Sequence, residues 1–334
     1  MKFRTEISIP GSATKITHKD TILTIGSCFA ENIAAKLEFS GFNVLNNPFG
    51  VLYNPVSIAN SLAIIAEARK FDENDLILNQ DEYHSFYHHS SFSSHDKDII
   101  LSNINDTTNQ LAGELPETKF AFISLGTAFV YEYIESGKIV SNCHKIPQSQ
   151  FKRFRLTPVE VKNHLGKIID TLKTFNPDIH IIFTVSPVRH LKDGAHGNNL
   201  SKSLLLLGIE EITSAITNTF YFPSYELLLD DLRDYRFYDN DLVHPSKEAI
   251  NYISEKFYSA FLDGSTIELA EKIERIKTAQ NHKVRNPHSA QYEKFLNANI
   301  KQIEKLLKVH PFLPLQDDLA HFKKDFDIYF TNTK

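Results

Sequence analysis

The sequence predicts an α/β fold built on a parallel sheet, followed by a helical C-terminal extension. Short apolar runs of strand length alternate with amphipathic helical segments through about residue 262. From about residue 265 onward, charged helical patterns follow one another with no strand between them. A chain of 334 residues, 42% apolar and 23% charged, has the balance of a soluble globular protein and can bury a sizeable core. These patterns place an α/β domain at residues 1–264 and a helical extension packed on it at 265–334.

Taken in order, "TILTI" after Asp20 reads as a short buried strand, and Phe29, Ile33 and Leu37 mark one face of the helix after it. "GFNVL" is a second strand. Asn54-Pro55 opens a helix, with Asn as N-cap, Pro at the first position, and Ile58, Leu62 and Ile65 inward. "FAFISL" is the clearest buried strand, and "FVYEYIESGKIVSNC" reads as a hairpin turning at Ser136-Gly137. Thr157-Pro-Val-Glu160 is a capping box for a helix carrying Val161, Leu165, Ile168 and Leu172. "IHIIFTVSP" is a strand ending at a Ser-Pro turn, and Leu205, Ile209, Ile212 and Ile216 form another helical face. "TFYFPS" is a short strand, and Ser246 caps a helix with Ile250, Ile253 and Phe257. In the tail, Leu296, Ile300, Ile303 and Leu307 form the apolar stripe of one of two charged helices.

A net charge of −5 gives no global attraction to nucleic acid. No window approaches 18 uninterrupted apolar residues, so no membrane span is expected, and the start has no apolar run of signal-peptide length. A cytoplasmic location is the expectation. Two cysteines, Cys28 and Cys143, are too few for a disulfide framework. Nothing indicates a partner protein.

In an open parallel sheet, ligands gather at the carboxyl ends of the strands. The residues just after the predicted strands are Gly26, Ser27 and Cys28, then Gly50 and Asn54, then Gly126 and Thr127, then Ser186 and Arg189. Downstream, "YDNDLVHPS" sets Asp241 three residues before His244. These residue types permit acyl transfer. Ser27 or Cys28 serves as nucleophile, His244 as base, and Asp241 as the group fixing the imidazole tautomer. Backbone amides at Gly50 and Gly126-Thr127, with the Thr127 hydroxyl or the Asn54 amide nearby, are oxyanion donors. Arg189 could bind an anionic group or serve a surface salt bridge.

The blocks "TIGSCFAEN", "NPFGVLYNP", "SLGTAFVYE", "TVSPVRH" and "YFPSYELLLDDLRDYRFYDNDLVHPS", with the tail motif "RNPHSAQYEKFL", resemble the GSCFA family. That family is grouped with the SGNH, or GDSL-like, hydrolases. The resemblance implies a flavodoxin-like three-layer α/β/α sandwich and an ester-hydrolase type of site. Laid against the Gly-Asp-Ser block of SGNH enzymes, Gly26 matches Gly, Ser27 falls on Asp, and Cys28 falls on the nucleophile. "FAEN" resembles "LARN" of the plant polysaccharide O-acetyltransferase branch, which supports this register. Slipping by one would make Ser27 the nucleophile. Thr127 stands where the usual oxyanion-donating Asn of the third block would be.

Each feature also has a structural reading. Ser27 could be a helix N-cap and Cys28 a small buried apolar residue. "YHSFYHHSSFSSH" brings His84, His88, His89 and His95 together without a recognised metal-ligand spacing. The resemblance extends through it, which marks His84 and His88 as pocket candidates. The expectation is therefore an acyl-ester hydrolase with no cofactor or metal, acting on a small or carbohydrate ester. An O-acyltransferase using the same residues and a non-catalytic binding protein on this fold are the alternatives.

Overall fold

A computed structural model describes residues 4–282 and 284–331. Strand β1 (Thr21–Gly26) leads into helix α1 (Cys28–Phe39), followed by β2 (Asn43–Asn46) and α2 (Pro55–Ala66). A hairpin of β3 (Leu76–Asn79) and β4 (Glu82–Ser85) precedes α3 (Lys97–Glu114) and β5 (Thr118–Leu125). Strands β6 (Phe129–Tyr133), β7 (Lys138–Val140) and β8 (Phe151–Arg155) form a separate antiparallel sheet. Then come α4 (Pro158–Phe175), β9 (His180–Val185), α5 (Gly194–Thr213) and β10 (Thr219–Tyr221). One helical turn, α6 (Ser224–Glu226), is followed by α7 (Lys247–Phe261), α8 (Gly264–Gln280), α9 (Ala290–Val309) and α10 (Gln316–Phe326).

The central sheet has the order β10-β9-β5-β1-β2, and its β10–β9, β9–β5 and β5–β1 ladders are parallel. Its inner strands β1, β5 and β9 are largely buried and apolar on both faces, as strands covered by helices on both sides must be. Toward one face, Leu23, Ile25, Ala121, Ile123, Phe183 and Val185 pack with Ile58 and Leu62 of α2, Leu165 of α4 and Leu205 of α5. Toward the other, Phe122 meets Phe257 of α7 with ring centroids 5.5 Å apart, and Phe257 meets Phe222 at 5.3 Å. Alternate residues of one strand thus serve opposite helical layers.

The local signals act as their chemistry requires. Asn54 Oδ1 accepts the Ser57 amide at 2.9 Å, and Thr157 and Glu160 close their capping box. Ser246 Oγ accepts from the Ala249 amide at 3.3 Å. Ile216 falls beyond the end of α5, so it is not part of that helical face. Helix α3 and the β3–β4 hairpin carry no expectation from the sequence, because α3 buries only Ile100, Ile104, Thr108 and Leu111 among 18 residues.

The chain divides into two compact units. One comprises Thr21–Ala34 and Val44–Ala260 with the residues before 12, and holds most of the sheet. The other joins Ser12–Asp20 and Ala35–Asn43 to the chain from Phe261 onward. Its own core is built from Ile273, Ile276, Leu296, Ile303, Leu315 and Phe322. No helix among the described residues is long and apolar enough to cross a membrane.

Gly26 closes β1 at φ +137°, and a Cβ there would lie 2.0 Å from the Ser124 carbonyl oxygen of β5. That oxygen already accepts the Ser27 amide at 2.9 Å, so neither partner can retreat without breaking the strand-to-helix corner. Gly26→Ala is expected to cost about 3–5 kcal/mol, combining a forbidden φ with a backbone clash. Chemical denaturation of the purified variant checks this; a loss under about 1 kcal/mol would show that the corner can relax.

Candidate active site

The loops that leave the carboxyl ends of β1, β5 and β9 converge with the loop before α7 on a cavity of about 430 Å³. Cys28, Asn54, Thr127, Arg189 and His244 all line it. A larger concavity of about 690 Å³, around Arg4, Glu6, Asp231 and Arg233, is lined by no cysteine, serine or histidine.

Adjacent residues at the β1–α1 corner have opposite fates. Ser27 is 1% exposed. Its Oγ lies 2.8 Å from Ser124 Oγ, and it accepts weakly from the Phe29 amide at 3.3 Å. It is spent on holding the corner and does not reach the cavity wall. Cys28, the first residue of α1, is half-buried and lines the cavity. Its thiol lies against its own amide and that of Phe29, donors of a helix start that lack a backbone acceptor within the helix. Burial nevertheless raises the thiol pKa, with Glu31 adding to the rise, while the two amides and Lys202 oppose it. The resting side chain is a thiol and needs a base to react.

His244 sits on a polar loop with its imidazole about half exposed. Asp241 Oδ2 lies 2.5 Å from His244 Nδ1, while Asp241 Oδ1 accepts the amides of Val243 and His244 at 2.9 Å each. Hydrogen bonds from the His244 amide and side chain and from the Val243 amide bring the Asp241 carboxyl down to about 2. The carboxylate is thereby ionised at neutral pH, fixes the ring, and leaves Nε2 for other work. Among the described residues no hydrogen bond joins Cys28 to His244.

The expected oxyanion donors are largely committed within the chain. The Gly50 amide donates to the Asn47 carbonyl at 2.6 Å, and the Gly126 and Thr127 amides both donate to the Tyr53 carbonyl at 2.8 and 2.9 Å. Asn54 Nδ2 donates to Ser57 Oγ at 3.0 Å. Thr127 Oγ1 lies 3.0 Å from Ser201 Oγ and accepts the Phe129 amide at 3.0 Å. These glycines shape the wall rather than point donors into it: a Cβ on Gly50 would lie 2.2 Å from the His89 Cβ.

His84 and His88 are not cavity residues, correcting that expectation. His84 binds Ser93 Oγ at 2.6 Å and stacks on His144 at 4.5 Å. His88 is fully buried, stacked on Phe49 at 4.5 Å, with Nδ1 2.9 Å from Ser85 Oγ. The next residue, His89, lines the cavity instead. No group of three or more His, Cys, Asp or Glu side chains able to hold a metal ion occurs among the described residues.

Three further residues at or behind the cavity wall carry no site role in the sequence reading, which takes Cys143 as structural. Cys143 shares the cavity with Cys28. His190 also lines it, and burial, with Lys202 nearby, lowers its imidazole to about 4. Behind the wall, Lys202 of α5 is 1% exposed, with Nζ donating to the Ser186 carbonyl at 2.7 Å. Burial lowers its ammonium to about 7, opposed by Cys28 and assisted by Arg189.

Lys202 gives a measurable signature. Between about pH 7 and its unfolded value near 10.5 the unfolded chain holds this proton and the folded chain releases it, so stability rises with pH. The expected gain from this residue between pH 7 and 9 is about 2 kcal/mol, and Lys202→Met removes it. Urea titrations of both proteins at the two pH values test this; identical slopes would mean that the ammonium keeps its proton when buried.

Fold and site together define an α/β protein with a thiol and a carboxylate-held imidazole at the carboxyl edge of a parallel sheet. The chain belongs to the GSCFA family: the model of that family matches residues 21–257, and that of the GSCFA domain protein C-terminal domain matches residues 273–327. No curated protein is matched. Among solved structures, one described as a candidate platelet activating factor from Streptococcus pneumonia is 14% identical, covering 72% of this chain and 83% of that one, with a TM-score of 0.38. A carbohydrate esterase family 3 protein from Talaromyces cellulolyticus is 8% identical, covering 75% and 98%, with a TM-score of 0.36. A Clostridium thermocellum family 3 carbohydrate esterase is 10% identical, covering 76% and 98%, with a TM-score of 0.34. Likeness this slight carries nothing about the chemistry of this chain.

Proposed function

We propose that this protein is an acyl-ester hydrolase of the SGNH type in which Cys28 replaces the usual serine. One observation carries the reading: the Cys28 thiol and the Asp241-held imidazole of His244 line one cavity, while Ser27 is turned away into the sheet. The substrate is a small ester, such as an acetyl group on a hydroxylated or carbohydrate acceptor.

Cys28 Sγ attacks the ester carbonyl carbon as His244 Nε2 takes the thiol proton. The imidazolium is stabilised by Asp241, whose carboxylate stays ionised. The oxyanion forms beside the first turn of α1, where the Cys28 amide has no backbone partner within a helix start. Collapse breaks the C–O bond, and His244 returns its proton to the departing alkoxide, leaving a thioester on Cys28. Water then adds to the thioester with His244 again as base, and the carboxylic acid leaves with the thiol regenerated. Because no hydrogen bond joins Cys28 to His244 at rest, the exposed His244 loop must close on the thiol when substrate fills the cavity.

The test is to incubate the protein with 4-nitrophenyl acetate and map the acyl adduct by peptide mass spectrometry. An adduct on Cys28 that forms much faster with His244 present than in His244→Ala supports the reading. An adduct on Ser27, or equal acylation with and without His244, overturns it.

A further inference from the structure

Arg189 follows the Ser-Pro turn after β9 and lines the cavity with Cys28 and His244. It has no carboxylate partner and makes no hydrogen bond among the described residues, and its Nε is sealed from solvent with nothing to donate to. The other cations of the region are occupied. Arg153 on the same wall pairs with Asp193, Lys192 donates to the Tyr131 hydroxyl at 3.2 Å, and Lys202 donates to Ser186. Arg69, comparably buried elsewhere, pairs with Asp75. A second unpartnered nitrogen stands next to it in sequence: Nε2 of His190, also on the cavity wall, is sealed from solvent with no hydrogen-bond partner.

A guanidinium has five donors in a rigid fork that matches a carboxylate or phosphate, and sealing even one of those donors from solvent without an acceptor costs free energy. The two aspartates on or beside the cavity wall are already engaged, Asp193 by Arg153 and Asp241 by His244, and Arg189 pairs with neither. Arg189 also lines an adjoining groove of about 460 Å³ with Leu191, Tyr235, Tyr238 and Leu242, which offers room for the rest of a substrate anchored between the two.

We propose that the substrate handled at Cys28 is an anion, and that Arg189 is the residue that binds its carboxylate or phosphate. This deepens the hydrolase reading by naming a charge on the substrate, and it rests on the same cavity.

Alkylation of Cys28 tests it without any acyl chemistry. In a Cys143→Ser background, rates with anionic iodoacetate and neutral iodoacetamide are compared, with glutathione as the free-thiol reference. The iodoacetate-to-iodoacetamide ratio at Cys28 is expected to exceed the reference by about fivefold, and to fall to it in Arg189→Gln. A ratio equal to the reference, or unchanged in Arg189→Gln, overturns the proposal. Calorimetric titration with glucuronate, glucose 6-phosphate and neutral glucose needs no reactive thiol. Binding of glucuronate alone assigns a carboxylate, and binding of glucose 6-phosphate alone a phosphate, each lost in Arg189→Gln. Binding of neither anion, or of glucose equally well, overturns the inference. A protein that prefers anions yet shows no His244-dependent acylation would keep this proposal and lose the hydrolase, and the reverse result would do the opposite.

Discussion

Cys28→Ala is expected to lower kcat for a small ester by about a thousandfold or more, with His244→Ala nearly as damaging and Ser27→Ala leaving kcat unchanged. The first two remove members of one proton-transfer unit, so the double variant should be no worse than the poorer single one. Asp241→Asn keeps the shape of the loop but loses the charge that steadies an imidazolium, and a fall of about a hundredfold is expected. Ser27→Ala acts elsewhere. It deletes the 2.8 Å contact to Ser124 Oγ and the weak cap on α1, which points to a stability loss of about 1 kcal/mol. Steady-state release of nitrophenolate, with melting temperatures measured on the same samples, separates the two kinds of effect. Full turnover in Cys28→Ala would remove the thiol from the mechanism altogether.

The state of the thiol shapes this expectation. Burial and Glu31 keep Cys28 protonated at rest despite its place at a helix start. A nucleophile that must be deprotonated during attack depends heavily on its base, whereas a preformed thiolate would survive loss of His244 with a smaller penalty.

The parts of this site that the sequence reveals are those set by short-range chemistry. Asp241 and His244 lie three residues apart in a polar loop, and their hydrogen bonds close within that loop. Asn54-Pro55 and Thr157-Pro158 open helices for reasons contained in four residues. Strand alternation likewise survives into the observed sheet, because buried strands need apolar side chains on both faces. The oxyanion donors were not legible, since a glycine makes a tight turn visible but not the direction of its amide. The Gly126 and Thr127 amides are both claimed by Tyr53, more than seventy residues away in sequence. The His84–His95 stretch was equally opaque: His88 and His89 are neighbours of the same type, yet one packs on Phe49 and the other faces the cavity. Lys202 did leave a trace. With Leu205 and Ile209 it falls at the i, i+3, i+7 positions of the apolar stripe of α5, and a lysine on such a stripe is either covered or functional.

Those histidines are expected to make the stability of the protein sensitive to mild acid. Burial holds His88 down to about 3, and His144 and His190 down to about 4, against 6.5 in an unfolded chain. His88 sits among Phe49, Phe71 and Phe92 with Nε2 unpartnered, and His144 is stacked on His84. Neither environment can host a second proton without desolvating a cation. Between pH 6.5 and about 4 the unfolded chain binds these protons and the folded chain does not, so stability falls as pH drops through that window. Going from pH 7 to pH 5, each histidine is expected to remove about 2 kcal/mol, a large share of the stability of an ordinary domain. His88→Phe keeps the aromatic packing but cannot take up the proton, so its stability should fall by about 2 kcal/mol less than wild type over the same interval. Urea midpoints at the two pH values provide the comparison, with the carboxylate contribution common to both proteins cancelling in the difference. An unchanged pH dependence in His88→Phe would mean that the buried ring accepts a proton after all, through water reaching the Phe49–Phe71 cluster.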